Sequence, residues 1–229
     1  MSRRISRRDF ITTAFGFVLS AGTPARSSPL PALGGMPDPY PNGEYFDPGL
    51  LPPPESEIEY PIAPVDPSLV KPEYRLQDVD FEGDEAPGTL VIDPDSFYLY
   101  HVLVYGRAKR YGVGVGRAGF AWAGKAVVGM KRRWPRWVPP RDMVERDPNA
   151  RKWVNGQPGG PGNPLGARAL YLFANGKDTL YRIHGTNQPK TIGKAVSSGC
   201  VRMLNQEVAE LFENVRIGTP VIVRASNRK

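Results

Sequence analysis

The sequence predicts a mainly β domain, a sandwich or partly closed barrel with one or two short helices and a long Trp/Pro/Gly-rich loop. Three observations carry that expectation. From about residue 88 the chain breaks into short apolar runs bounded by Gly and polar residues, the pattern of strands joined by tight turns. Gly and Pro number 25 each in 229 residues, nearly double the ordinary share of about 12%, which suits a loop-rich β architecture. Asn175-Gly176 lies between two of the apolar runs and is a strong hairpin signal.

Taken in order, Thr89 to Asp93, Phe97 to Val104, Arg110 to Val115, Lys125 to Met130, Ala169 to Phe173, Thr179 to His184 and Pro220 to Arg224 read as strands. One amphipathic helix is expected over Gln206 to Asn214, with Val208, Leu211 and Phe212 on one face and Asn205 as its cap. The stretch from Lys131 to Pro164 is long and holds Trp134, Trp137 and Trp153. It reads either as an insertion anchored by its indoles or as a lid or wall of a substrate cleft.

Before the β domain the composition changes twice. Met1 to Arg8 is basic, Ile11 to Ala21 is largely apolar, and Thr23-Pro24-Ala25 offers small residues for cleavage. This is a signal-peptide layout over 1–25, with an apolar run too short for a membrane anchor. Within it, Ser6-Arg7-Arg8-Asp9-Phe10-Ile11 resembles a twin-arginine export signal. The mature protein is therefore expected outside the cytoplasm, in the periplasm of a bacterial cell, without an integral membrane segment once the signal is removed. Residues 26–87 have Pro every few positions, including Pro52-Pro53-Pro54, and read as an extended spacer.

Charge divides along the same line. Residues 26–87 hold 3 Lys/Arg against 13 Asp/Glu, and 88–229 hold 23 against 9, so the overall +7 conceals an acidic spacer and a basic domain. A basic domain suits nucleic acid, an anionic surface or a polyanionic substrate. Export argues against nucleic acid and leaves anionic cell-envelope material.

Export also bears on the single cysteine, Cys200. One cysteine forms no intrachain disulfide, so it is either a small buried hydrophobe or a reactive thiol. A thiol attacks carbonyls as thiolate and needs a neighbour that takes its proton. Of the two histidines, His101 sits mid-strand among tyrosines and is expected to pack. His184 ends a strand before Gly185, which would hold its imidazole at a rim. Gly199 permits a tight backbone turn, so the amides of Gly199 and Cys200 could face an oxyanion. Arg202, two residues on, could fork onto a carboxylate. Two His and one Cys make no metal-ligand set. Gly112 to Gly116 lacks the context of a nucleotide loop, so no cofactor is expected.

The run His184-Gly185-Thr186-Asn187 followed by Ser197-Ser198-Gly199-Cys200-Val201-Arg202 resembles the signature of the L,D-transpeptidase catalytic domain, also called YkuD-like. The resemblance extends through Asn163-Pro164-Leu165-Gly166 and the closing Gly218-Thr219-Pro220-Val221, and covers roughly 88–225. It implies a β-sandwich of that type and a cysteine acyltransferase acting on peptidoglycan stem peptides. Cys200 would attack the bond between the third and fourth stem residues and release D-alanine. An amine would resolve the thioester as a 3–3 cross-link. It implies Cys200 as nucleophile, His184 as base, the Gly185 carbonyl orienting the imidazole, and Arg202 near substrate carboxylates. Carbapenem-type lactams are implied inhibitors. Most members carry a second His where this chain has Ser198, which leaves the acceptor open. Water would make the protein an L,D-carboxypeptidase or wall hydrolase, and a protein amine would attach an outer-membrane protein to the wall. A chain without turnover would be a wall-binding module.

Overall fold

The computed structural model describes residues 59–116, 122–197 and 199–226. The signal-like segment 1–25 and the first half of the Pro-rich stretch lie outside the described residues, as does Ser198. Eleven strands are assigned: β1 Gln77–Asp80, β2 Leu90–Asp93, β3 Tyr98–Val102, β4 Arg107–Gly112, β5 Val115–Gly116, β6 Gly124–Arg133, β7 Arg168–Ala174, β8 Lys177–His184, β9 Ala195–Ser197, β10 Val201–Arg202 and β11 Pro220–Val223. Nine of them form one sheet in the order β1-β4-β3-β2-β11-β6-β7-β8-β10, and β5 pairs with β9 in a second, small sheet. The large sheet ends on β1 and β10 and does not close into a barrel, leaving a mainly β, sandwich-type fold.

All seven strands expected from the apolar runs are present. β2 reads Leu-Val-Ile-Asp, and its side chains alternate between two cores. Leu90 and Ile92 face the main one with Leu99, Tyr111, Leu170, Leu172 and Ile183, while Val91 faces a smaller one with Phe81, Val102 and Ala108. A period-two pattern with both faces buried needs such continuous apolar runs. Each fully buried Leu or Ile contributes roughly 1.5–3 kcal/mol. Asn175 and Gly176 both take positive φ, 52° and 76°, in the β7–β8 hairpin, as a type I′ turn requires.

Part of the Pro-rich stretch belongs to this framework. β1 pairs with β4, Val70 packs with Ile192 and Leu204, and Phe81 is buried. Tyr74 lies so close to Gly112 and Gly193 that a Cβ at either would meet it at 2.2 Å. Glu59 bonds Arg168 at 2.6 Å, and the Tyr60 ring meets Trp134 edge-on at 5.2 Å.

The helix spans Asn205–Asn214 (α3), with Val208, Leu211 and Phe212 buried as its spacing predicts. Its N-cap is Leu204, not Asn205, and no side chain caps it. Asn205 is used elsewhere: its Oδ1 accepts the Ala167 amide at 3.0 Å and stands where a Cβ on Gly166 or Gly185 would meet it at 2.2 Å. The stretch from Lys131 to Pro164 begins as the end of β6 and carries two short helices, Arg141–Arg146 (α1) and Pro148–Arg151 (α2). Trp134 is buried, whereas Trp137 and Trp153 are half-buried.

Candidate active site

The site is made where β10 is inserted between two neighbours. On one side it runs parallel to β8, with Val201 beside Ile183 and Arg202 beside His184. On the other, Gly114 and Arg202 exchange main-chain hydrogen bonds of 2.9 and 2.8 Å. Met203 N donates to the His184 carbonyl at 2.8 Å. Cys200, immediately before β10, is thus carried to the same end of the sheet as the last residues of β8.

Gly199 has φ +147°, a region L side chains rarely adopt, and a Cβ there would lie 3.2 Å from the Tyr181 ring. Gly116 packs so closely that its own Cβ would meet the Gly199 backbone at 2.9 Å. Both requirements explain glycine before the cysteine.

His184 is 4% exposed. Its Nδ1 lies 2.6 Å from the Gly185 carbonyl oxygen. A carbonyl can only accept, so Nδ1 carries the proton and Nε2 presents its lone pair. Burial pulls the imidazole pKa from 6.5 to about 4; hydrogen bonding to the Gly185 and Leu165 backbone opposes this, and Arg202 and Arg182 reinforce it. The Cys200 thiol is half-buried, and desolvation raises its pKa while Arg182 and Arg202 lower it. Thiol and imidazole are therefore both neutral at pH 7.

One feature escaped the strand pattern. Between Tyr171↔Arg182 and Phe173↔Asp178 the β7–β8 register shifts, so β8 bulges over Thr179, Leu180 and Tyr181. Leu180 takes φ 60°. Asp178 Oδ1 accepts the Leu180 amide at 2.8 Å, and Thr179 Oγ1 accepts the Tyr181 amide at 3.2 Å while donating to the Leu172 carbonyl at 2.7 Å. Asp178, whose side chain is fully buried, grips Arg182 through both oxygens at 2.6 Å. The bulge turns the Leu180 carbonyl toward Cys200, whose Sγ donates to it at 3.8 Å. It also sets Tyr181 stacked on Trp122 at 5.4 Å. An Asp-x-x-x-Arg spacing inside an apparent strand is the only sequence trace of this device.

Arg202 is half-buried, donates to Gln188 Oε1 at 3.4 Å, and its Nε has no hydrogen-bond partner among the described residues. His101 is buried in β3 and lies opposite Lys109. Among the described residues no group of three or more His, Cys, Asp or Glu side chains is placed to hold a metal ion. No described helix is long and apolar enough to cross a membrane.

A thiol and a buried imidazole at one end of two paired strands define the Cys–His class of site. The family model of the L,D-transpeptidase catalytic domain (YkuD) matches residues 87–223, and the chain belongs to that family. YqjB of Bacillus subtilis (strain 168), provisionally named an L,D-transpeptidase, is 49% identical over 71 residues, 31% of this chain and 40% of YqjB. The Probable L,D-transpeptidase YbiS of Escherichia coli (strain K12) is 39% identical over 114 residues, 48% of this chain and 35% of YbiS. This chain thus matches well under half the length of either relative. A crystal structure from Brucella melitensis, named as a probable carnitine operon oxidoreductase caia, is 51% identical; the match covers 68% of this chain and 96% of that one, with a TM-score of 0.47.

Proposed function

We propose that the protein is an exported peptidoglycan L,D-transpeptidase. The observation that carries this reading is the placement of His184, with Nδ1 held by the Gly185 carbonyl, beside a strand that begins directly after Cys200, within a chain of the transpeptidase family. In the proposed reaction His184 Nε2 takes the Cys200 proton as Sγ attacks the carbonyl of the third stem residue. The tetrahedral oxyanion is met by the Gly199 and Cys200 amides. The intermediate collapses, the bond to D-alanine breaks, and the leaving amine takes the proton from His184. A side-chain amine of a neighbouring stem then attacks the thioester, gives its proton to His184 and expels Sγ, which is reprotonated. Arg202 pairs with a stem carboxylate.

Residues 1–25 are proposed as a twin-arginine signal delivering the chain to the periplasm. Residues 26–87 are its acidic Pro-rich lead, and 88–225 the catalytic domain. Incubating the purified protein with tetrapeptide stems and following products by mass spectrometry tests the reading. Cross-linked dimers that have lost D-alanine are expected. Tripeptides alone would assign the thioester to water, and unchanged stems would contradict both.

A further inference from the structure

A cavity of about 460 Å³ opens between the 134–164 insertion and the loop that follows His184. Two half-buried indoles, Trp137 and Trp153, and three primary amides, Asn149, Gln157 and Gln188, line it. Its walls are held firmly. Trp137 and Gln157 exchange main-chain hydrogen bonds of 2.9 and 2.7 Å. Gln157 Nε2 and Asn187 Nδ2 both donate to the Gly162 carbonyl, at 3.1 and 3.0 Å. Asn163, 1% exposed, donates to the carbonyls of Pro135, Gln157 and Pro158. The insertion is thereby tied to the segment carrying His184.

The cavity also communicates with the site, because Gln188 on its wall accepts the hydrogen bond from Arg202. Its volume falls within the range of about 300–1,000 Å³ typical of small-molecule sites. Indole faces cover flat apolar C–H surfaces, and a primary amide has one acceptor and two donors, of which Gln157 spends a donor on Gly162 and Gln188 uses its oxygen on Arg202. That combination matches the ring faces, hydroxyls and N-acetyl groups of an amino sugar, and Asp147 and Lys152 add one charge of each sign to the wall.

We infer that this cavity is a subsite for the N-acetylated amino sugar of the glycan strand that bears the donor stem. The inference rests on the transpeptidase reading above and adds to it a carbohydrate contact. Arg202 stands two residues beyond Cys200, and its guanidinium reaches the cavity wall at Gln188.

Two measurements test the subsite. Saturation-transfer NMR with the peptide-free disaccharide N-acetylglucosaminyl-N-acetylmuramic acid reads binding without chemistry. Transfer to the sugar is expected with the wild-type chain and is lost in Trp153→Ala. Gln157→Ala weakens it, guarding against a folding defect in the larger truncation. Steady-state rates on tetrapeptide with and without the disaccharide read its use. The wild type favours the sugar-bearing stem by about tenfold in kcat/KM, a value set by a well-placed aromatic contact. Trp153→Ala brings that ratio to about one while its rate on bare tetrapeptide is unchanged. Absence of transfer in the wild type overturns the subsite. So does equal kcat/KM on the two substrates. Transfer without turnover of either substrate would keep the subsite and overturn the transpeptidase reading instead.

Discussion

Burial holds the His184 imidazole neutral down to about pH 4, which keeps Nε2 available as an acceptor throughout the physiological range. The same shift is a stability term. The folded-state pKa lies below the unfolded value of 6.5, so between the two the unfolded chain binds the proton more readily. Stability therefore falls as pH drops from about 6.5 to about 4, by about 3 kcal/mol for this one group. Urea unfolding across pH 7 to 4 should show the wild type losing about that much more than His184→Gln, which cannot titrate. Parallel profiles for the two would contradict the assignment of a buried neutral imidazole. The residue types at the site were readable beforehand: Cys200, His184, Gly185, Gly199 and Arg202 are local in sequence and brought together by one β8–β10 pairing. What could not be read was the protonation state, because it depends on burial by distant elements.

The bulge in β8 is the element on which the setting of Cys200 rests. Asp178 holds Arg182 from within the bulge, and the bulge presents the Leu180 carbonyl to Cys200 Sγ. Replacing Asp178 by Asn leaves the Arg182 charge poorly paired while preserving shape. A cost of about 3 kcal/mol in stability is expected for breaking a buried pair from one side. The pH profile of Cys200 alkylation by iodoacetamide should also shift, because Arg182 and Asp178 act on the thiol in opposite senses. Desolvation still raises the thiol pKa in the variant, but one of the two raising influences is gone, so the midpoint moves down. A purely structural role would leave that midpoint where it is. Strand-pattern reading covers Thr179 to His184 as one strand and is right about its C-terminal end, whereas β8 begins at Lys177. It misses the bulge because apolar alternation carries no information about two extra residues held by side-chain hydrogen bonds. β1, β9 and β10 were missed for a related reason: they are two to four residues long and formed by pairing, not by propensity. Asn205 illustrates the same limit, since a residue with good capping chemistry serves a tertiary contact instead.

Across the whole molecule, the charge division seen in the sequence becomes a set of ion pairs between the Pro-rich stretch and the β domain. Asp78 meets Lys109, Asp80 meets Arg107, and Glu59 meets the nearly buried Arg168. Most of these pairs are exposed and contribute little. The Glu59 pair differs because its Arg168 partner is 5% exposed. Glu59→Gln is expected to lower stability by about 1–2 kcal/mol in urea unfolding, and an unchanged midpoint would show that this contact is incidental. The measurement that bears most directly on the proposed chemistry is the mass of Cys200 itself after mixing the protein with a carbapenem. The expected result is one acyl adduct, mapped by peptide digestion to Cys200 and absent in Cys200→Ala. An adduct that persists in that variant, or a wild-type thiol left unmodified while stems are turned over, would contradict Cys200 as the nucleophile.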